Sequence, residues 1–212
     1  MMKIDPARLP APPAENTPLP TAQPSLETLS LLARRRSTPI GLMTGPGPSR
    51  AEIEALIALA ARVPDHGKLG PWRFLVIEGA ARERAGEKLA ALVAQRNPNA
   101  DAEQLKMERE RLTRAPVVIA VISTAAPHAK IPEWEQVLSS GAVAFQLVLA
   151  AHAMGYAGVW LTEWLTYDSE ARAALGLAPH ERIAGLVYLG TAKADPPERV
   201  RPDVKQRIAW HE

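Results

Sequence analysis

The chain runs to 212 residues, 47% of them hydrophobic and 5% aromatic, with a formal net charge of +2 and no cysteine. That length carries one domain with a sizeable core and is short for two. The mixing of both charge signs excludes the concentrated positive field that nucleic acid needs, and the lack of cysteine excludes disulfides, thiol redox chemistry and thiolate metal sites.

Proline recurs through the first 24 residues, at Pro6, Pro10, Pro12, Pro13, Pro18, Pro20 and Pro24, a composition that neither continues a helix nor packs a core. Residues 1–24 are expected to form a disordered or extended arm, open to lying across a partner subunit, ahead of a single domain at 25–212. The start shows no basic segment followed by an apolar one. No later run reaches the roughly 18 uninterrupted apolar residues of a membrane span, so a cytoplasmic chain without membrane contact is expected.

Ser25 is placed to cap a helix with the apolar stripe Leu26, Leu29, Leu32 and Ala33, ending in Arg34-Arg35-Arg36-Ser37. A Gly- and Pro-rich loop follows from Pro39 to Pro48. Ser49 and Glu52 form a capping-box pattern for a second helix carrying Ile53, Leu56, Ile57 and Ala60, which stops by Pro64. After a turn at Asp65-His66-Gly67, Trp72 to Ile77 reads as a strand, Ala80 to Arg96 as a helix, and Ala102 to Thr113 as a charged surface helix. That last helix offers only Leu105, Met107 and Leu112 for burial. Val117 to Ser123 has the β-branched run of a buried central strand, and Trp134 to Met154 is the longest apolar helical stretch. Gly158 to Thr162 reads as a strand, Ser169 to Leu175 as a short helix closed by Gly176, and Ile183 to Leu189 as the last strand. The order predicts an α+β, layered α/β domain with more helix than strand.

Motifs narrow the chemistry mostly by absence. There is no G-x-G-x-x-G after a strand, no P-loop and no G-x-S-x-G. Asp65 and His66 are adjacent but lack a second ligand pair at zinc-like spacing, so no metal is expected. The pair Arg35-Arg36 with Ser37 suits a phosphate clamp and equally suits compensation of a helix dipole. Trp134, Trp160 and Trp164 offer planar faces to a flat ligand, but core filling is the stronger expectation. His128, His152, His180 and His211 have no partner in sequence and receive no role.

Taken together, Ala61-Arg62-Val63-Pro64-Asp65-His66, Pro71-Trp72-Arg73-Phe74, Arg114-Ala115-Pro116 and Ile131-Pro132-Glu133-Trp134-Glu135-Gln136 add to Arg35-Arg36-Ser37. With Gly155-Tyr156-Ala157-Gly158-Val159-Trp160 and Gly185-Leu186-Val187-Tyr188-Leu189-Gly190-Thr191, they resemble the nitroreductase family in order and spacing, especially its short YdjA-like subgroup. The resemblance implies a nitroreductase-like fold: a central, mixed but mostly antiparallel sheet flanked by helices, in an intertwined homodimer with FMN at the interface. It implies that Arg35, Arg36 and Ser37 meet the flavin phosphate and ribityl end, and that Arg62 and His66 touch FMN. Trp160, Leu161 and Thr162 would lie along the isoalloxazine, and 151–156 near the nicotinamide of NADH or NADPH. Arg201 is expected either to reach the phosphate or to belong to a tail that wraps the partner. No catalytic acid or base is expected, since the flavin carries the chemistry. The implied reaction passes hydride from NAD(P)H to a nitroaromatic, a quinone or a similar small acceptor. A specialised flavoenzyme of the same fold, of dehalogenase or flavin-breakdown type, or a non-catalytic flavin-binding module are the alternatives. Leu161 and Glu163 depart from the family, where Arg or Gly is common.

Overall fold

The computed structural model describes residues 3–20 and 22–211; Met1, Met2 and Thr21 of the Pro-rich segment and the terminal Glu212 lie outside them. The elements are α1 (Leu26–Arg34), β1 (Met43–Thr44), α2 (Arg50–Ala60), β2 (Trp72–Glu78), α3 (Ala80–Arg96) and α4 (Ala102–Glu110). They continue as β3 (Val117–Ser123), α5 (Glu133–Ala153), β4 (Ala157–Leu161), α6 (Trp164–Tyr167), α7 (Ser169–Ala174) and β5 (Arg182–Ala192). Side-chain caps at Ser25, Ser49, Asp101 and Asp168 start α1, α2, α4 and α7, and the Ser49–Glu52 box is complete. The two-residue β1 and the single-turn α6 lack any sequence period long enough to show.

The strands form one sheet in which β2 pairs β3, β3 pairs β5, and β5 also pairs β4 along its other edge and, at its C-terminal end, β1. All four pairings are antiparallel, so the parallel component of the expected mixed sheet is not realised. The reason is topological: β4 follows β3 through the crossover helix α5, but β5 inserts between them and pairs antiparallel with both.

The sheet is covered on both faces. Val118, Ala120 and Ile122 of β3 face Leu89 of α3, Leu112, Leu165 and Ala171. Val117, Ile119 and Val121 face Ile53 and Leu56 of α2 and Val143, Leu147 and Ala151 of α5. Every residue of β3 is buried, which is why it reads as an unbroken apolar run rather than an alternation. A methyl group at Gly86 would collide with the Arg109 carbonyl, so this glycine allows α3 and α4 their close approach.

Three burial expectations are corrected. Met107 is exposed, and the inward position on α4 belongs to Glu108. The α1 stripe of Leu26, Leu29 and Leu32 is exposed, because no element among the described residues packs over it. Trp134 and Trp160 do not fill the core; they are 68% and 37% exposed. The start of the Pro-rich segment lies on the body: Pro6–Arg8 make a 3-10 turn, Ile4 N donates to the Met154 carbonyl at 3.1 Å, and Leu9 packs against the α2 and α5 core. Helix α5 is long and apolar enough to cross a membrane by length and composition, yet half of its most apolar stretch is buried against the sheet and α2.

Candidate functional site

Helix α1 delivers its C-terminal arginines to a defined place because Thr38 N, just beyond them, donates to the Gly158 carbonyl on β4 at 3.1 Å. The turn from α5 into β4 passes alongside. The end of β5 joins them through Lys193 N, which donates to the Leu42 carbonyl at 2.8 Å. These segments enclose a cleft of about 590 Å³ whose charged walls are Lys3, Arg34, Arg35, Arg36 and Lys193, with Asp195 as the single carboxylate. Five cations against one anion make it a place for a negatively charged group.

His152 supplies a different function to the same wall. Its Nε2 lies 3.2 Å from the Gly158 carbonyl and therefore carries the proton, while Nδ1 is buried with no partner. Burial, chiefly, and the nearby Arg35 hold the imidazole pKa below its ordinary 6.5, against the opposite pull of the Gly158 carbonyl. The ring is thus neutral, with a buried acceptor left unpaired at Nδ1 in a wall that the cations also line. That donor set fits a phosphate attached to a polyol or sugar.

The other expected residues fall elsewhere. Arg35 stacks its guanidinium 5.3 Å from the Phe145 ring, and Arg36 donates from Nε to the Pro197 carbonyl at 2.9 Å. Ser37 is half-buried just before Thr38. Arg62 is exposed, with its carbonyl accepting from Gln146 Nε2 at 3.2 Å. His66 Nδ1 is 2.7 Å from Glu135 Oε2, in a loop that Asp65 closes by accepting from Leu69 N and Gly70 N. Since Glu135 and Phe145 are ten positions apart on α5, His66 and Arg35 are separated by about 15 Å along that helix. One chain does not bring the two groups together.

Between them stands Trp160. Its Nε1 donates to the Ala184 carbonyl at 3.2 Å, and its indole lies so close over Gly185 that any side chain there would collide. The register of β3 on β5 slips at this point, which leaves the Ala184 carbonyl free for the indole. Leu161 points the other way into the core, and Thr162 Oγ1 accepts from the Tyr167 hydroxyl at 3.0 Å. Arg201 is exposed and tied to Glu198 at 3.0 Å, and Glu198 also lies 3.6 Å from Arg36. The tail therefore returns toward the cleft without Arg201 lining it.

Glu163, the departure noted in the sequence, faces inward. Its carboxylate accepts from Arg114 at 2.7 Å, Arg111 at 3.1 Å and the Tyr188 hydroxyl at 3.1 Å. Arg111 also pairs with Glu108, which accepts from Trp164 Nε1 at 3.1 Å. This network lies under the turn that ends β4, and burial pushes the Tyr188 phenol pKa up.

The model of the family described as "Nitroreductase family" matches residues 32–191. The chain belongs to the nitroreductase family. It is 33% identical over 168 residues to YdjA of Escherichia coli (strain K12), a candidate NAD(P)H nitroreductase, covering 78% of this chain and 88% of that protein. Among solved structures, a nitroreductase-like family protein from Bacillus cereus superimposes with a TM-score of 0.75 at 21% identity, covering 92% of this chain and all of that one. A nitroreductase with bound FMN from Bacteroides fragilis gives 0.65 at 21% identity, covering 89% and 100%.

The sequence did not point to Lys3, His152 or Lys193 as cleft residues. Lys3 and Lys193 fall outside the matched span. His152 had no sequence partner, because its partner is a backbone carbonyl six residues on. The chain also exposes Val137, Leu138 and Phe145 with Trp134 along one side of α5, next to Trp160 and running from His66 toward Arg35.

Proposed function

We propose that this protein is an FMN-dependent oxidoreductase that takes hydride from NADH or NADPH and passes it to a nitroaromatic, a quinone or a similar small acceptor. The observation that carries this reading is the cleft of five cations around the neutral acceptor His152, which suits the phosphate and ribityl end of a flavin nucleotide. The names borne by YdjA and the FMN-bound Bacteroides fragilis protein support the cofactor and the donor. When bound, FMN supplies the hydride chemistry.

The work left to the chain is binding, orientation and exclusion of water. Arg35 and Arg36 offer forked donors to phosphate oxygens. Trp160, locked over Gly185, offers a rigid flat wall rather than a mobile one. Fixing Trp160 and the following turn on a buried ion network keeps that wall in place through turnover.

The protein is proposed to work as a homodimer. Exposed Trp134, Val137, Leu138 and Phe145 on α5 and the α1 stripe make apolar surface that a second copy would cover. A copy packed antiparallel across α5 would bring its own His66 toward the first chain's Arg35, which the His66 of the same chain leaves about 15 Å away along the helix.

The test is the visible spectrum of the purified protein, followed anaerobically on adding NADH or NADPH. A yellow protein that bleaches with either donor is the expected result. A yellow protein that does not bleach would replace the reductase reading with a flavin-binding one. A protein that stays colourless after FMN is supplied would remove the flavin altogether.

A further inference from the structure

We infer that the N-terminal segment is part of the cofactor site, with Lys3 contributing an ammonium to the phosphomonoester of the flavin nucleotide. The inference rests on the flavin reading above and extends it to a residue that lies outside the family match, which begins at residue 32.

The segment is held in place by its main chain as well as by side chains. Ile4 N bonds the Met154 carbonyl at 3.1 Å, immediately beyond the helix that carries His152. Pro6–Arg8 form a turn capped by Asp5, and Leu9 is packed on the α2 and α5 core. This anchoring sets Lys3 over the Tyr156 ring at 4.2 Å, with Nζ donating to Thr191 Oγ1 at 3.1 Å. Tyr156 and Thr191 both line the cationic cleft, as does Lys3 itself.

Lys3 makes no direct ion pair there, although Glu52 is near enough to feel its charge. Among the described residues no carboxylate lies within 4 Å of its Nζ. The acidic group nearest in the chemistry of this corner, Glu52, is already committed to the Tyr156 hydroxyl at 2.6 Å and to Ser49. An ammonium has three donors; Thr191 Oγ1 takes one and the Pro46 carbonyl, at 3.4 Å, takes another weakly. A structural tether alone would have gained from an acidic partner at this position. Instead a lysine joins Arg34, Arg35, Arg36 and Lys193 around one space, and the group that neutralises such a set is a dianion such as a phosphomonoester.

The competing explanation is that Lys3 merely docks the segment, and a ligand without the phosphate separates the two. Binding of FMN and of riboflavin to full-length wild type, Lys3→Gln and Lys3→Arg is measured by flavin fluorescence. Lys3→Gln is expected to weaken FMN by about tenfold, the scale of one charge-assisted hydrogen bond, while leaving riboflavin within about twofold. Lys3→Arg should restore most of the FMN affinity, and the wild-type advantage over Lys3→Gln should shrink in high salt. An equal loss for both flavins, or no loss for FMN, would overturn the inference and leave the flavin reading standing. A wild-type protein that binds neither flavin would overturn both.

Discussion

Two charged regions lie at the two ends of β4, and they are built on opposite rules. Beneath the end of β4, Arg111 and Arg114 meet Glu108 and Glu163, so that two cations face two carboxylates and the Tyr188 hydroxyl joins them. In the cleft beside α1, five cations line the walls with Asp195 as the one carboxylate among the lining residues, and Glu198 reaches only Arg36, at 3.6 Å. Charges taken away from water must find their partners inside the chain, because an unpaired buried ion costs several kcal/mol. The cleft is open to solvent and escapes that requirement, so its excess of one sign is free to serve a ligand. Charge balance thus separates the region that stabilises the fold from the region proposed to bind.

The sharpest way to break this contrast is Glu163→Gln. It strands the partly buried Arg114 guanidinium and leaves Arg111 with Glu108 alone, and a loss of about 3 kcal/mol in urea unfolding is expected. A loss below about 1 kcal/mol would mean that solvent, rather than Glu163, carries the Arg111 and Arg114 charges.

Arg35→Gln should show the reverse pattern. FMN affinity is expected to fall by about tenfold or more, with stability nearly unchanged, because the guanidinium leaves no buried carboxylate behind. Isothermal titration with FMN, alongside a thermal melt, reads both quantities. A destabilised protein with normal FMN affinity would place Arg35 with the structural charges.

The smallest effects, seen in acid, sharpen the comparison by their windows. His152 in the cleft has its pKa lowered from 6.5, mainly by burial. The unfolded chain therefore binds that proton first, and the contribution of His152, complete above pH 6.5, is lost as pH falls below it. Burial would raise the Glu108 carboxyl, but hydrogen bonds from Arg111 and Trp164 hold it below 4.5. Its contribution is complete above pH 4.5 and is lost as pH falls through the folded value. In urea melts from pH 7 to pH 3, the advantage of wild type over His152→Gln should shrink by under about 1 kcal/mol between pH 6.5 and 5. Its advantage over Glu108→Gln, about 1–2 kcal/mol, should hold until about pH 4.5 and then close. A common window for both variants would show that the two regions titrate as one.

Much of the fold was legible in the residues. The Ser49–Glu52 box, the β-branched run of β3 and the long apolar α5 each carry a local signal, and the element order followed from them. Arg35, Arg36 and Ser37 were legible as candidates through the family resemblance, since residue type alone equally suited compensation of the helix dipole. What remained illegible was long-range. The helical period of α1 and of α5 marks an apolar face, but nothing in the period says whether a neighbour from the same chain will cover it, and here Leu26, Leu29, Leu138 and Trp134 stay exposed. On α4 the sequence favoured Met107 over Glu108, since a carboxylate is buried only where its cation is supplied, and part of that network comes from Trp164 and Glu163, over 50 positions further on.

By itself, then, the sequence determined the α+β class, the helices and the longer strands, the family and the chemical character of its basic helix end, because each of these is written in neighbouring residues or in residue type. Only the tertiary structure decided which cations share a cleft and which are cancelled inside the fold. Lys3, Arg35, His152 and Lys193 meet because Ile4 bonds Met154, Thr38 bonds Gly158 and Lys193 bonds Leu42. Those are backbone hydrogen bonds between distant segments, available to any residue type, and so they leave no mark in the sequence.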